Sequence, residues 1–108
     1  MAKAKLKSKV VEISVTAKDI AYGQPGNPFA CPIALAVSRK IKDAQGVEVD
    51  AELEYYLNGK TEPCEQYFKS KLPAAARKFI SKFDQTGVSE KAVMPKPFKF
   101  KVNIQRIN

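Results

Sequence analysis

The chain contains no histidine and only two cysteines, Cys31 and Cys64. The first absence removes the commonest general base and the commonest nitrogen ligand for metals. The second leaves too few thiols for a disulfide framework, and a zinc site within one chain would have to borrow carboxylates. No apolar run approaches the roughly eighteen residues that a membrane-spanning helix needs. The Lys-rich start is not followed by the apolar stretch of a secretory signal. These absences predict a cytoplasmic protein that does not enter a membrane. The run Gly23-Gln-Pro-Gly-Asn-Pro28 lacks the Gly-Lys-Ser/Thr ending of a phosphate-cradling loop and reads as a turn. There is no internal repeat, and nothing of low complexity beyond the first nine residues.

What is present suffices for one domain. The 108 residues are 44% hydrophobic, enough to build a single core without staples. The formal charge is +8, and its distribution says more than its size. Residues 1–18 set five Lys against Glu12, and residues 19–42 set Arg39, Lys40 and Lys42 against Asp19. Residues 43–65 hold seven carboxylates against Lys60, whereas residues 66–108 hold ten Lys or Arg against Asp84 and Glu90. An acidic middle between two basic ends gives a folded domain surfaces of opposite sign, suited to a charged partner.

Periodicity assigns the elements. Residues 1–9 alternate lysine with small residues and read as a flexible basic arm, either solubilising or touching nucleic acid. Residues 10–16 alternate with period two and predict a half-buried strand. A helical turn at 18–22 stops at Gly23. Two glycines, two prolines and an asparagine then crowd 23–28 and exclude regular structure there. Pro32 is placed at the first position of a helix spanning about 31–43, with Cys31 as N-cap and Ile33, Val37 and Ile41 on its apolar stripe. Ala44-Gln45-Gly46 reads as its C-cap and turn, and 47–50 as a short strand. Residues 51–57 and 61–68 flank Asn58-Gly59, the strongest short hairpin signal. Pro63 demotes the second arm to an edge or irregular strand, and an edge there would leave a homodimer open.

A helix over about 72–85 starts at Pro73, with Leu72, Ala76, Phe79, Ile80 and Phe83 on one face and Gly87 past its end. Its outer face carries Arg77, Lys78 and Lys82. Residues 88–97 form a connector, and Phe98, Phe100, Val102 and Ile104 alternate with polar residues in a final strand. The fold class is therefore α+β: one domain over 10–108, a mostly antiparallel sheet of four to five strands with two helices on one face.

Candidate chemistry is sparse. Cys31 at a helix N-terminus is placed for a lowered thiol pKa, but no histidine exists to act as its base. Asp50, Glu52 and Glu54 share one strand face and, with Glu48, offer an acidic contact for a basic partner. Tyr22, Phe29, Tyr55, Tyr56 and Tyr67 are the aromatics with a chance of stacking on bases. Lys3, Lys5, Lys7, Lys9, Arg77, Lys78, Lys82, Lys96, Lys99 and Lys101 are the cations that would neutralise phosphates, and they have the option of merging into one patch.

Several motifs carry a resemblance. Ile20 and Gly23 in a turn, Cys31-Pro-Ile-Ala-Leu-Ala36, Leu72-Pro73 through Ala76, Phe79-Ile80 to Phe83-Asp84, and Pro97-Phe98-Lys99-Phe100 stand in the order of a group of small bacteriophage proteins. That group is also found in bacterial genomes, and it carries C-P-[IV]-A-L-A, L-P-x-x-A-x-x-F-I-x-x-F-D and P-F-x-F. The run between the isoleucine and the cysteine reads differently here. The resemblance transfers no activity and no site residue; it implies origin as a phage-type accessory protein, in a host cytoplasm.

The expectation is a binding protein and not an enzyme, with no cofactor, whose basic surface contacts nucleic acid or a nucleic-acid-handling complex of the host. The alternative is an inhibitor of a host enzyme or defence complex, of the anti-restriction or anti-CRISPR kind, docking through the acidic hairpin or an apolar patch.

Overall fold

The alternation near the start of the chain becomes strand β1 (Ser8–Val15) in the computed structural model, which describes residues 8–58 and 65–107. Val11, Ile13 and Val15 point into the core, and Ile13 lies opposite Phe100 of the last strand, β5 (Phe98–Arg106). β1 begins earlier than the arm boundary at residue 9 implied, with Lys9 already paired opposite Ile104. Residues 1–7, with Lys3, Lys5 and Lys7, lie outside the described residues.

Three helices follow from local signals, one more than the two expected. Helix α1 (Ala17–Tyr22) is fixed by a reciprocal cap: the Thr16 N–H donates to Asp19 Oδ2 at 2.8 Å, and the Asp19 N–H donates to Thr16 Oγ1 at 3.2 Å. This satisfies two otherwise orphaned donors. Helix α2 (Pro32–Lys40) opens on Pro32, as the sequence predicts, and the Cys31 sulfur accepts from the Ala34 N–H at 3.4 Å. Ile33, Ala34, Ala36 and Val37 are buried; the alanines let the helix approach its support closely. α2 ends before residue 43 because Ile41 leaves the helical region and Asp43 takes a left-handed φ of 67°. The reversal sits there and not at Ala44–Gly46, where Gln45 already opens strand β2 (Gln45–Val49). Gly46, with φ 59°, falls in a register irregularity between Gln45 and Glu48.

Strands β3 (Glu52–Asn58) and β4 (Glu65–Lys71) complete a meander, with Tyr55 opposite Phe68 and Asn58 opposite Glu65. The strands stay paired through Asn58, opposite Glu65; the rest of the Asn58-Gly59 turn signal, with Pro63 and Cys64, falls in residues 59–64, outside the described residues. Helix α3 (Ala74–Gln85) starts two residues later than expected, with Pro73 as its cap and Leu72 buried ahead of it. The strand order β1-β5-β4-β3-β2 is antiparallel throughout. β4 is therefore interior and not the edge that the proline implied: Phe68 pairs with both Tyr55 and Arg106. β4 and β5 pair at Phe68–Arg106 and Lys69–Gln105, and the Ile107 N–H donates to the Tyr67 carbonyl at 2.8 Å.

The core gathers Ile33 and Val37 of α2, Phe79 and Phe83 of α3, and Ile13, Leu53, Phe100 and Val102 of the sheet. All three layers of contact meet at the turn that joins α1 to α2. The Gly26 N–H donates to Asp84 Oδ1 of α3 at 2.8 Å, and the Val49 N–H of β2 donates to the Pro28 carbonyl at 2.8 Å. A Cβ on Gly23 would stand 2.6 Å from the Pro32 ring, and one on Gly87 would stand 2.7 Å from Pro25. Gly23 has φ −67° and ψ 153°, a conformation open to any residue. Its requirement is close approach.

Two measurements probe this frame. Gly23→Ala should cost about 1–3 kcal/mol through overpacking against Pro32, read as a lowered denaturation midpoint with an unchanged slope. Asp19, only 5% exposed, is gripped by Arg39, whose Nη1 and Nη2 lie 2.5 and 2.9 Å from its two oxygens. Burial alone would raise its carboxyl pKa, but the hydrogen bonds from Arg39 and Thr16 outweigh it and hold the group below its ordinary 3.8. A depressed carboxyl stabilises above its unfolded pKa and loses that contribution as pH falls through the folded value. Asp19→Asn should thus cost about 2 kcal/mol near neutrality, and the gap from the wild type should shrink below about pH 4 in chemical denaturation across pH.

Candidate binding surfaces

Strand alternation and the one-sided helix layer sort the cations. Side chains on the sheet face away from the helices come from one parity of each strand. They include Glu12 opposite Lys101, Ser14 opposite Lys99, Glu54 opposite Lys69 and Tyr56 opposite Tyr67. This face is mixed in sign. Lys69 Nζ sits 3.0 Å from Glu52 Oε1, and that hydrogen bond raises the lysine's pKa. Glu48 and Glu54 lie across from each other at the β2–β3 edge, while Asp50 is exposed in the turn, where its N–H donates to the Glu52 carbonyl at 2.9 Å. The expected acidic contact is therefore partly engaged by the sheet's own lysine.

Lys99 and Lys101 belong to this open face, whereas Arg77, Lys78 and Lys82 belong to α3 on the opposite face. Among the described residues, Lys99 and Lys101 do not share a surface with Arg77, Lys78 and Lys82. A two-layer domain places the outer surface of its strands and the outer surface of its helices on opposite sides.

Two smaller groupings exist instead. Lys9, Lys40 and Lys42 line one depression where β1 begins and α2 ends, floored by Val11 and Ile41, with Glu12 the one carboxylate on its wall. Val10, 64% exposed, stands at its lip on the β1 edge. Lys3, Lys5 and Lys7 immediately precede this point in the chain. At the other end of β1, opposite Val15, Phe98 leads into a groove between α3 and residues 92–96. Lys78 and Lys82, one helical turn apart, rim one side of it and Lys96 the other. Arg77 does not line it, being roughly 100° around the helix from Lys78.

Sequence reading missed Lys40 and Lys42 as site residues, treating them only as the polar side of a helix. It also passed over Val93 and Met94, whose one signal was two large apolar residues in a polar connector. Among the aromatics, Tyr55 is buried, stacked on Phe68 at 5.1 Å between centroids, and burial pushes its hydroxyl up to about 12. Tyr56 and Tyr67 stack on each other at 4.9 Å on the open face. Tyr22 and Phe29 are exposed beside the α1–α2 turn.

Cys31 is buried, and that burial pushes its thiol up despite the N–H groups of Ala34 and Ile33; nearby Asp84 raises it further. Its sulfur is a cap. Among the described residues, no helix is long and apolar enough to cross a membrane. Comparison of the chain with protein-family models, with curated proteins and with solved structures finds no match to any of them.

The thiol geometry makes a direct forecast. Alkylation at neutral pH, followed by peptide mapping, should find Cys31 modified more than about tenfold more slowly in the folded protein than in denaturant. Equal rates would mean an accessible, activated thiol.

Proposed function

We propose that the protein acts by binding, as a small phage-type accessory protein of the host cytoplasm, and that the end of the domain around Lys9 contacts nucleic acid. The observation that supports this most is the convergence of Lys9, Lys40 and Lys42 on one depression, directly after a segment carrying Lys3, Lys5 and Lys7. Lysines grouped in space at Lys9, Lys40 and Lys42, and alternating in sequence just before them, would displace counterions from a phosphate backbone without reading bases. Arg39, next in sequence, is held by Asp19 and by the Ser14 carbonyl at 2.9 Å. It anchors α2 against β1 and so positions Lys40 and Lys42 for the backbone. The same contact covers part of the β1 edge, which blunts strand addition there.

Lys99 and Lys101 have a lesser part in this reading, because Glu12 and Ser14 stand opposite them. No base-specific role follows from any residue, so affinity should depend on charge and not on sequence.

Labelled single- and double-stranded DNA and RNA should bind with micromolar affinity at low salt, and the affinity should fall steeply as salt rises. Replacing Lys9, Lys40 and Lys42 together by alanine should reduce the slope of log K against log salt by roughly 2 to 3. Removing residues 2–7 should reduce it by a similar amount, whereas Lys99→Ala with Lys101→Ala should leave it nearly unchanged. Absence of binding at low salt, or a slope set by Lys99 and Lys101, would contradict the reading.

A further inference from the structure

The groove between α3 and residues 92–96 encloses about 800 Å³, within the range of sites that bury a ligand. Its floor is apolar. Phe79 and Phe98 meet there at 4.7 Å between ring centroids, and Met94 and Val93 continue the surface outward, 49% and 82% exposed. Large apolar side chains left open in a continuous concave patch mark contact surfaces, whereas scattered ones do not. Lys78, Lys82 and Lys96 stand on the rim, and no carboxylate lines the groove.

We infer that this groove docks an acidic amphipathic segment of a partner protein. An apolar face of that segment would lie on Val93, Met94 and the open edge of Phe98, and its flanking Asp or Glu side chains would meet the three lysines. Lysines on both sides match a segment that carries acids on both flanks of its apolar stripe, the arrangement of a helix laid in a groove. Charge complementarity of this kind sets the approach rate and the choice of partner, while the apolar floor supplies the affinity.

The floor argues against a nucleic acid as occupant. Phe98 already stacks on Phe79 and, at 5.3 Å, on Phe100, so its faces are committed within the protein and do not form a platform for bases. The groove also lies at the far end of β1 from Lys9, since Phe98 pairs with Val15 and Lys9 with Ile104. The two surfaces do not compete, and this inference stands apart from the nucleic-acid proposal.

The test uses the full chain and a fluorescein-labelled helical peptide of about fifteen residues, with Leu and Phe along one stripe and Glu on both flanks. Fluorescence anisotropy should give saturable binding in the micromolar range. Combined Lys78→Glu, Lys82→Glu and Lys96→Glu should weaken it roughly tenfold or more. Val93→Asp with Met94→Asp should do the same, and since both residues are exposed, the melting curve should not move. A control peptide with the apolar stripe changed to serine should bind at least roughly tenfold more weakly.

Failure of the peptide to bind, or equal binding by the groove variants, would overturn the inference. So would equal binding of the serine control, which would reduce the effect to charge alone. Single-stranded DNA whose affinity falls in the groove variants as much as the peptide's would reassign the groove to nucleic acid. Self-association lost in those same variants would reassign it to a second copy of the chain.

Discussion

The turn between α1 and α2 holds the helix layer to the sheet. It contains no regular structure, yet it bonds to elements far apart in the chain: its Gly26 N–H to the Asp84 carboxylate of α3, and its Pro28 carbonyl to the Val49 N–H of β2. It is braced internally by the Gln24 N–H on the Ala30 carbonyl at 2.8 Å and by the Phe29 N–H on Asn27 Oδ1 at 3.0 Å. Close approach of Gly23 to Pro32 and of Gly87 to Pro25 seats it. Loop backbone that joins two layers must place its polar groups somewhere. Here it places them on the elements that flank it, so satisfying the loop and positioning the helices are the same act.

That arrangement determines which cations are available to a partner. With the helices on one face, β5 must turn Lys99 and Lys101 away from them, toward Ser14 and Glu12 of β1. α3 turns Lys78 and Lys82 the other way, toward an apolar groove that the connector closes with Lys96. The end of α2 delivers Lys40 and Lys42 to the start of β1. The cations of a chain with net charge +8 are thus divided between a sheet face of mixed sign and two cationic sites at opposite ends of one strand. A protein with that division is suited to holding two different anionic partners at once, a phosphate backbone at one end and an acidic segment at the other.

Much of this was legible in the residues. The period-two runs of β1 and β5, the Pro32 and Pro73 helix starts, the Cys31 cap and the core stripe of α3 each rest on a local rule, and the fold class follows from their order. What was not legible depends on contacts distant in sequence. Pro63 implied an edge, but β5 pairs with the other side of β4. The ten cations could be read as one patch because sequence gives each residue a face without saying that helix faces and strand faces oppose. The groove was invisible because its floor is made of two core residues, Phe79 and Phe98, that each looked fully accounted for within its own element.

The account rests on the claim that the open sheet face, mixed in sign, is not the working surface and that binding occurs at the ends of the domain. Mapping amide chemical shifts by NMR while adding a short oligonucleotide at low salt tests it most directly. Shifts concentrated at Ser8–Val11 and Lys40–Lys42, with β3, β4 and the middle of β5 unmoved, are the result the account predicts. Shifts centred on Lys69, Lys99 and Lys101 would contradict it, because the sheet face would then be the working surface after all.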